Sequence, residues 1–439
     1  MPSQPGAPKT TRLTVTTTRL AGHGTGLDAG EVDLLAAAGS DGYLWHDEES
    51  GLAGRGEALH IDLPHGLADT AAVARAADVL AGIERTDDLT GPGTGAVAFG
   101  ALPFGRDVPG ALVVPRVVVG RRDAEAWITR IAGPDDGPAT GRLADLMAAE
   151  ALAGFTAPRP APSEFTLTSV LDHGVWSAIV AEAISLVEAG ELGKVVLARQ
   201  VEVRANRPFV IPDVLSRLRA LYPTCMVFRI GGFIGASPEL LIERRGDRVA
   251  SHPLAGTIGR SGDLATDAAL IAGLLASPKQ RREHAYVIEG LRRSLGPVCA
   301  NLEVPDKPVV LELRNVSHLA TRLTGVLTPA PPGLRVPSAL ELVARVHPTP
   351  AVGGTPTDAA VAYIGEVEGF DRGRYAGPVG WMDARGDGSW AIGLRSAEVD
   401  GDRAALYAGV GLVAGSLPGS ELEETQLKLQ ALLAAMVRP

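Results

Sequence analysis

Strand-length apolar runs linked by tight turns outnumber helix-length ones along this chain, and the two kinds do not alternate one for one. A doubly wound parallel sheet needs a helix between successive strands, so the pattern points to an α+β fold. Residues 240–244 and 248–251 flank Gly246 and Asp247 as a hairpin. Trp176, Ile179, Val180, Ile184 and Val187 recur at helical spacing, and Gly190 stands where that helix stops. An apolar strand then opens abruptly at Lys194. Ser277 and Pro278 cap a helix running toward Gly296, and a last helix spans 421 to about 436. Upstream, β-rich runs such as ALVVPRVVV at 111–119 are broken by Gly and Pro turns, with one helical stretch at 71–80.

Residues 1–12 are polar and Pro-containing and read as a flexible N-terminus. Residues 13–154 form an N-terminal part without a catalytic constellation, 155–168 a Pro-rich connector, and 169–439 the region where the chemical signals lie. Forty-one basic against 51 acidic residues leave a net charge of −10, without a basic run, which speaks against nucleic-acid or anionic-membrane surfaces. Cys225 and Cys299 are far apart and lack metal-type spacing, as in a reducing compartment. The first twenty residues lack the apolar core of a signal peptide. The longest apolar stretch, 268–276, is too short for a bilayer, so a soluble cytoplasmic protein is expected.

Lys194 sits at the mouth of the run Val195–Val196–Leu197. Loss of hydration disfavours an ammonium in such a setting and would supply a base; a lysine snorkelling to water is the plainer alternative. Glu239, between Pro238 and an apolar strand, could hold a proton by burial, or simply face solvent. Glu283 lies on the Ser277 helix, while Glu421 and Glu424 share a face of the last one. Such oxygen ligands suit Mg²⁺. Duller roles are a Ser420/Glu423 capping box, a Glu424/Lys428 ion pair, and pairing of Glu283 with Arg281 or Arg282. PLAGTIGR at 253–260 and AGVGLVAG at 408–415 could turn backbone N–H groups onto a carboxylate, or be tight turns alone. His252 reads as structural.

HPTPAVGG at 347–354 and FDRGRYAGPVGW at 370–381 resemble the C-terminal half of the chorismate-utilising enzymes, the isochorismate synthases in particular. Relatives that build anthranilate or aminodeoxychorismate usually carry FPAGTxSGAPK at the first position. The resemblance is strong from about residue 169 to 433 and implies an anthranilate synthase component I-like fold, two stacked antiparallel sheets with outer helices and the site between them. It makes 169–439 the chorismate-binding catalytic region. In it Lys194 of KVVLAR, close to the family's KVVLSR, activates water, and Glu239 of SPELL protonates the departing hydroxyl from the opposite face of the ring. Glu283 and Glu424 hold the magnesium, with Glu421 as second ligand or water holder; Gln280 stands where many relatives have a further acid. Gly256, Thr257, Tyr375, Arg395, Gly409, Gly411 and Lys428 hold the substrate carboxylates, a good task for guanidinium. Val410 and Arg374 depart from the usual alanine and tryptophan without removing a required group. His318 of SHLAT takes a supporting role near the leaving hydroxyl, and His347 is the other histidine within a family motif.

Ala255 stands where aminodeoxychorismate synthases often carry the lysine of PIKGT, and no LLES-type feedback segment precedes residue 100. The resemblance therefore implies a Mg²⁺-dependent, reversible isomerase converting chorismate to isochorismate, a monomer without a glutaminase subunit, serving menaquinone or siderophore synthesis. A salicylate synthase, which eliminates pyruvate from the same intermediate, and a catalytically silent member of the family are the alternatives.

Overall fold

The computed structural model describes residues 13–21, 28–48, 50–87, 89–133 and 160–437. Residues 1–12 and the first five of the expected connector lie outside them. A thirteen-stranded sheet runs in the order Phe165–Ser169, Lys194–Ala205, Arg403–Leu412, Ser396–Asp400, Phe233–Ser237, Met226–Ile230, Tyr43–Asp47, Ser50–Arg55, Val117–Arg122, Glu125–Ala132, Thr14–Ala21 and Glu84–Asp87. Its thirteenth strand, Gly354–Thr355, pairs beside Lys194. A nine-stranded sheet runs Cys299–Glu303, Leu323–Leu327, Arg248–His252, Leu240–Arg245, Gly388–Ile392, Pro378–Asp383, Val97–Ala101, Gly110–Val114 and Leu59–Leu63. Leu254–Gly259, Val316–Ala320 and Val309–Glu312 make a small third sheet that the sequence does not announce. Among the described pairs only Thr14–Ala21 with Glu84–Asp87 is parallel.

The two large sheets stack through an aromatic layer. Trp45, Trp127, Phe228 and Phe233 from the first meet Phe99 and Trp381 from the second. A Cβ at Gly120 would lie 2.2 Å from the Trp127 indole, so the ring's approach requires glycine there. Helices His173–Glu188, Ile211–Leu221 and Pro418–Met436 pack outside the first sheet, Thr70–Ala81 and Ala339–Val346 outside the second, and Pro278–Leu295 chiefly against the small third sheet. Among the described residues no helix is long and apolar enough to cross a membrane.

Local expectations hold with a few corrections. The hairpin turns at Gly246, which has φ +64°, and the Ser277 side chain accepts from the Gln280 N–H at the helix start. The closing helix begins at Pro418, earlier than expected, with Leu417 as a cap that makes no side-chain bond. Ser420 and Glu423 therefore lie inside the helix rather than forming a capping box. Residues 165–168, expected in the connector, belong to the edge strand Phe165–Ser169. Strands from both halves of the chain complete each large sheet: Tyr43–Asp47 pairs with Met226–Ile230, and Val97–Ala101 with Pro378–Asp383.

Candidate active site

The strand Lys194–Ala205 is buried on both faces as far as Arg199 and alternates beyond it, with Glu202 and Arg204 exposed. The unbroken apolar run after Lys194 fits a strand covered on both sides. Lys194 is itself fully buried, its Nζ 3.1 Å from Glu283 Oε1. That approach lacks hydrogen-bond geometry, and the ammonium has no other acceptor among the described residues. Glu283 thus faces Lys194 across the fold instead of Arg281 or Arg282 on its own helix.

The two glycine-rich segments lie largely in strands, Leu254–Gly259 in the first and residues 408–412 in the second. Gly409 and Gly411 lie within Arg403–Leu412, opposite Ala198 and Val196. A Cβ at 411 would sit 2.0 Å from Glu283 Oε1 and 2.8 Å from Lys194 Cε, and one at 409 would sit 2.9 Å from the Tyr375 hydroxyl. These glycines make room for the side chains of Glu283, Lys194 and Tyr375. Gly411→Ala should displace Glu283 and Lys194 together and lower kcat by about tenfold to hundredfold, measured by steady-state turnover beside an unchanged circular dichroism spectrum.

Gly256 lies at a bulge in Leu254–Gly259, with φ +78°. There the Gln280 side chain acts like a strand partner: its Oε1 accepts from the Thr257 N–H (3.2 Å) and its Nε2 donates to the Thr257 carbonyl (3.3 Å). A carboxylate at 280 could make only the first bond. The sequence marks Gln280 as a departure from the family and does not disclose this task.

One cavity brings together Glu239, Gly256, Thr257, Glu283, His318, Tyr375, Arg395, Gly409, Gly411 and Lys428. Lys194 sits behind that wall, against Glu283 and Gly411. Glu421 and Glu424 also stand off the wall, paired with Lys279 at 2.6 Å and Lys428 at 2.7 Å. The expected Glu424–Lys428 pair is present, and Lys428 Nζ also donates to the Gly409 carbonyl at 2.8 Å.

Burial pushes the Glu239 carboxyl up to about 8, against the opposing pull of the Leu254 N–H, Lys194 and Lys428. At neutral pH it therefore carries a proton and can donate it. Arg395 Nη2 lies 3.1 Å from His318 Nε2, and His318 Nδ1 lies 3.2 Å from Thr257 Oγ1. Arginine only donates, so Nε2 accepts and the proton resides on Nδ1. Burial, then Arg395 and Lys428, hold this imidazole well below its ordinary range, so His318 is a neutral link between Thr257 and Arg395. Arg395 has φ +47°, unusual for a side chain of its size, and its Nη1 is buried without a hydrogen-bond partner. A buried guanidinium bordering this cavity is chemically suited to pair with a carboxylate. His347 Nε2 donates to the Phe104 carbonyl at 2.9 Å and is structural.

The family described as chorismate binding enzyme matches residues 33–437. The chain belongs to the chorismate-binding enzymes. Similar chorismate-binding proteins include one from Mycobacterium tuberculosis H37Rv, provisionally named isochorismate synthase MenF. It is 38% identical over 359 residues, covering 78% of this chain and 87% of that one. Among solved structures, the menaquinone-specific isochorismate synthase MenF of Escherichia coli superposes with a TM-score of 0.77 at 25% identity, over 97% of this chain and 95% of that chain. Anthranilate synthase component I of Streptococcus pneumoniae, 21% identical with a TM-score of 0.63 over 98% of this chain and 94% of its own, shares the fold.

Proposed function

We propose that this chain is an isochorismate synthase, interconverting chorismate and isochorismate with Mg²⁺. The observation that carries the reading is a buried, protonated carboxyl, Glu239, on the wall of a cavity that Arg395 also lines, with the buried Lys194 directly behind that wall against Glu283 and Gly411. Arg395 Nη1 receives a substrate carboxylate, with Thr257 and Lys428 beside it. Lys194 takes a proton from water as the water oxygen bonds to a ring carbon. The double bonds shift, the C–O bond at the other carbon breaks, and Glu239 passes its proton to the departing hydroxyl, which leaves as water. One water enters and one leaves, so the same groups run the reverse direction with roles exchanged.

The carboxylates fit a hard divalent ion. Burial, and then Glu424, raise the Glu421 carboxyl above its usual range, which marks a crowded acidic corner that cationic charge would relieve. Among the described residues no three acidic or imidazole groups converge into a ready-made cluster. Two carboxylates from the chain, completed by water and substrate oxygens, still satisfy magnesium. Glu283 and Glu424 would hold it, with Glu421 as second ligand or water holder, and the charge so supplied neutralises a substrate carboxylate.

The test is incubation of purified protein with chorismate and Mg²⁺, without an amine donor, followed by separation of products and a pyruvate assay. A mixture of chorismate and isochorismate is expected from either starting compound, with pyruvate at background. Stoichiometric pyruvate with salicylate, or no turnover by folded protein, would overturn the assignment. Chelation should abolish turnover and added Mg²⁺ restore it; full activity in metal-free buffer would sink the roles given to Glu283 and Glu424.

A further inference from the structure

The strand that carries Lys194 is paired continuously on one side, by Arg403–Leu412 from Val195 to Arg204. On the other side the pairing has a gap. Gly354–Thr355 takes the first two residues, and Phe165–Ser169 takes Val201 to Ala205. Between them the buried backbone groups are met mostly by side chains. The Val196 N–H donates to the Gly353 carbonyl (2.8 Å), and the Val196 carbonyl accepts from Arg372 Nη2 (2.8 Å). The Ala198 N–H donates to Glu368 Oε1 (2.7 Å), and the Ala198 carbonyl accepts from Trp176 Nε1 (3.0 Å).

Glu368 and Arg372 are bound to each other, with Arg372 Nε 2.7 Å from Glu368 Oε2, and both are buried. Arg372 Nη1 donates to the Val352 carbonyl (2.8 Å), and its guanidinium lies 4.3 Å from the centre of the Phe104 ring. All three guanidinium nitrogens are thus engaged. Arg372 borders the cavity with every guanidinium nitrogen engaged by the protein. A buried ion pair is on average no better for stability than apolar residues of similar volume. What this pair supplies is geometry: a carboxylate to accept a strand N–H and a guanidinium to donate to a strand carbonyl.

We propose that Glu368 and Arg372 are positioning residues that replace the missing length of neighbouring strand, fix Val196–Ala198, and thereby fix Lys194 and the cavity wall at Val352. The functional part rests on Lys194 being the base.

The test is the double variant Glu368→Leu with Arg372→Met, which removes both charges at similar volume. Hydrogen exchange in residues 194–200 should accelerate by about tenfold or more, and kcat should fall on the order of tenfold to hundredfold, with KM within about twofold of wild type and a moderately lowered Tm in a still cooperative transition, because the Ala198 N–H and the Val196 and Val352 carbonyls lose their partners. Adding Lys194→Ala should cost less in this background than in wild type, because a displaced base has less to lose. Arg372→Lys keeps the charge but loses the fork, and should shift exchange and kcat in the same direction to a smaller extent. Unchanged exchange or unchanged kcat in the folded double variant overturns the proposal. So does a collapse of Tm in both variants, which would make the pair merely structural. Should Lys194→Ala alone turn over normally, the base assignment fails, and the exchange measurement still decides whether the pair holds the strand.

Discussion

Lys194→Ala is expected to turn over chorismate roughly two to four orders of magnitude more slowly than wild type, the usual reach of a positioned acid or base. The substitution removes the amine that accepts the proton of water and leaves Glu283 without the nitrogen 3.1 Å away. Steady-state kcat, read beside circular dichroism to confirm folding, measures the effect. Near-wild-type turnover would show that the buried lysine only balances the charge of Glu283.

Glu239→Gln should lose a similar factor and should also change the shape of the pH profile. A carboxyl raised to about 8 is protonated below that pH and surrenders its proton above it, so wild-type kcat/KM should decline on the alkaline side of about 8. An amide has no proton to lose, so the Glu239→Gln enzyme should lack that limb. An identical alkaline decline in both proteins would assign it elsewhere and remove Glu239 from the acid role.

Much of this was legible in the chain, for identifiable reasons. Strand and helix existence followed from apolar spacing and from punctuation such as Ser277–Pro278 and Gly246. The expected site residues were reached through the HPTPAVGG and FDRGRYAGPVGW segments, since a lone lysine or glutamate has several duller uses. What stayed hidden depended on tertiary neighbours. Nothing local shows that Gly411 is small because Glu283 lies against it, or that Gln280 completes a bulge twenty-odd residues upstream. The Glu368/Arg372 spacing of four was readable as a helical ion pair, yet its use as a stand-in for backbone needed the gap beside Ala198 to be seen. The closing helix starts early because Pro418 tolerates a first turn, a signal masked by the acidic run behind it.

The interleaving of early and late strands has a consequence for dissection of this protein. All the cavity-lining residues lie after residue 190, which invites expression of the second half by itself. Such a fragment would bare one edge of Met226–Ile230 in one sheet and of Pro378–Asp383 in the other, both composed entirely of buried residues and each stripped of one partner. Two long apolar edges exposed on the same molecule are templates for intermolecular pairing. The early strands Tyr43–Asp47 and Val97–Ala101 thus cover edges that the later half cannot close, and a truncated enzyme should be recovered as aggregate rather than as a smaller catalyst.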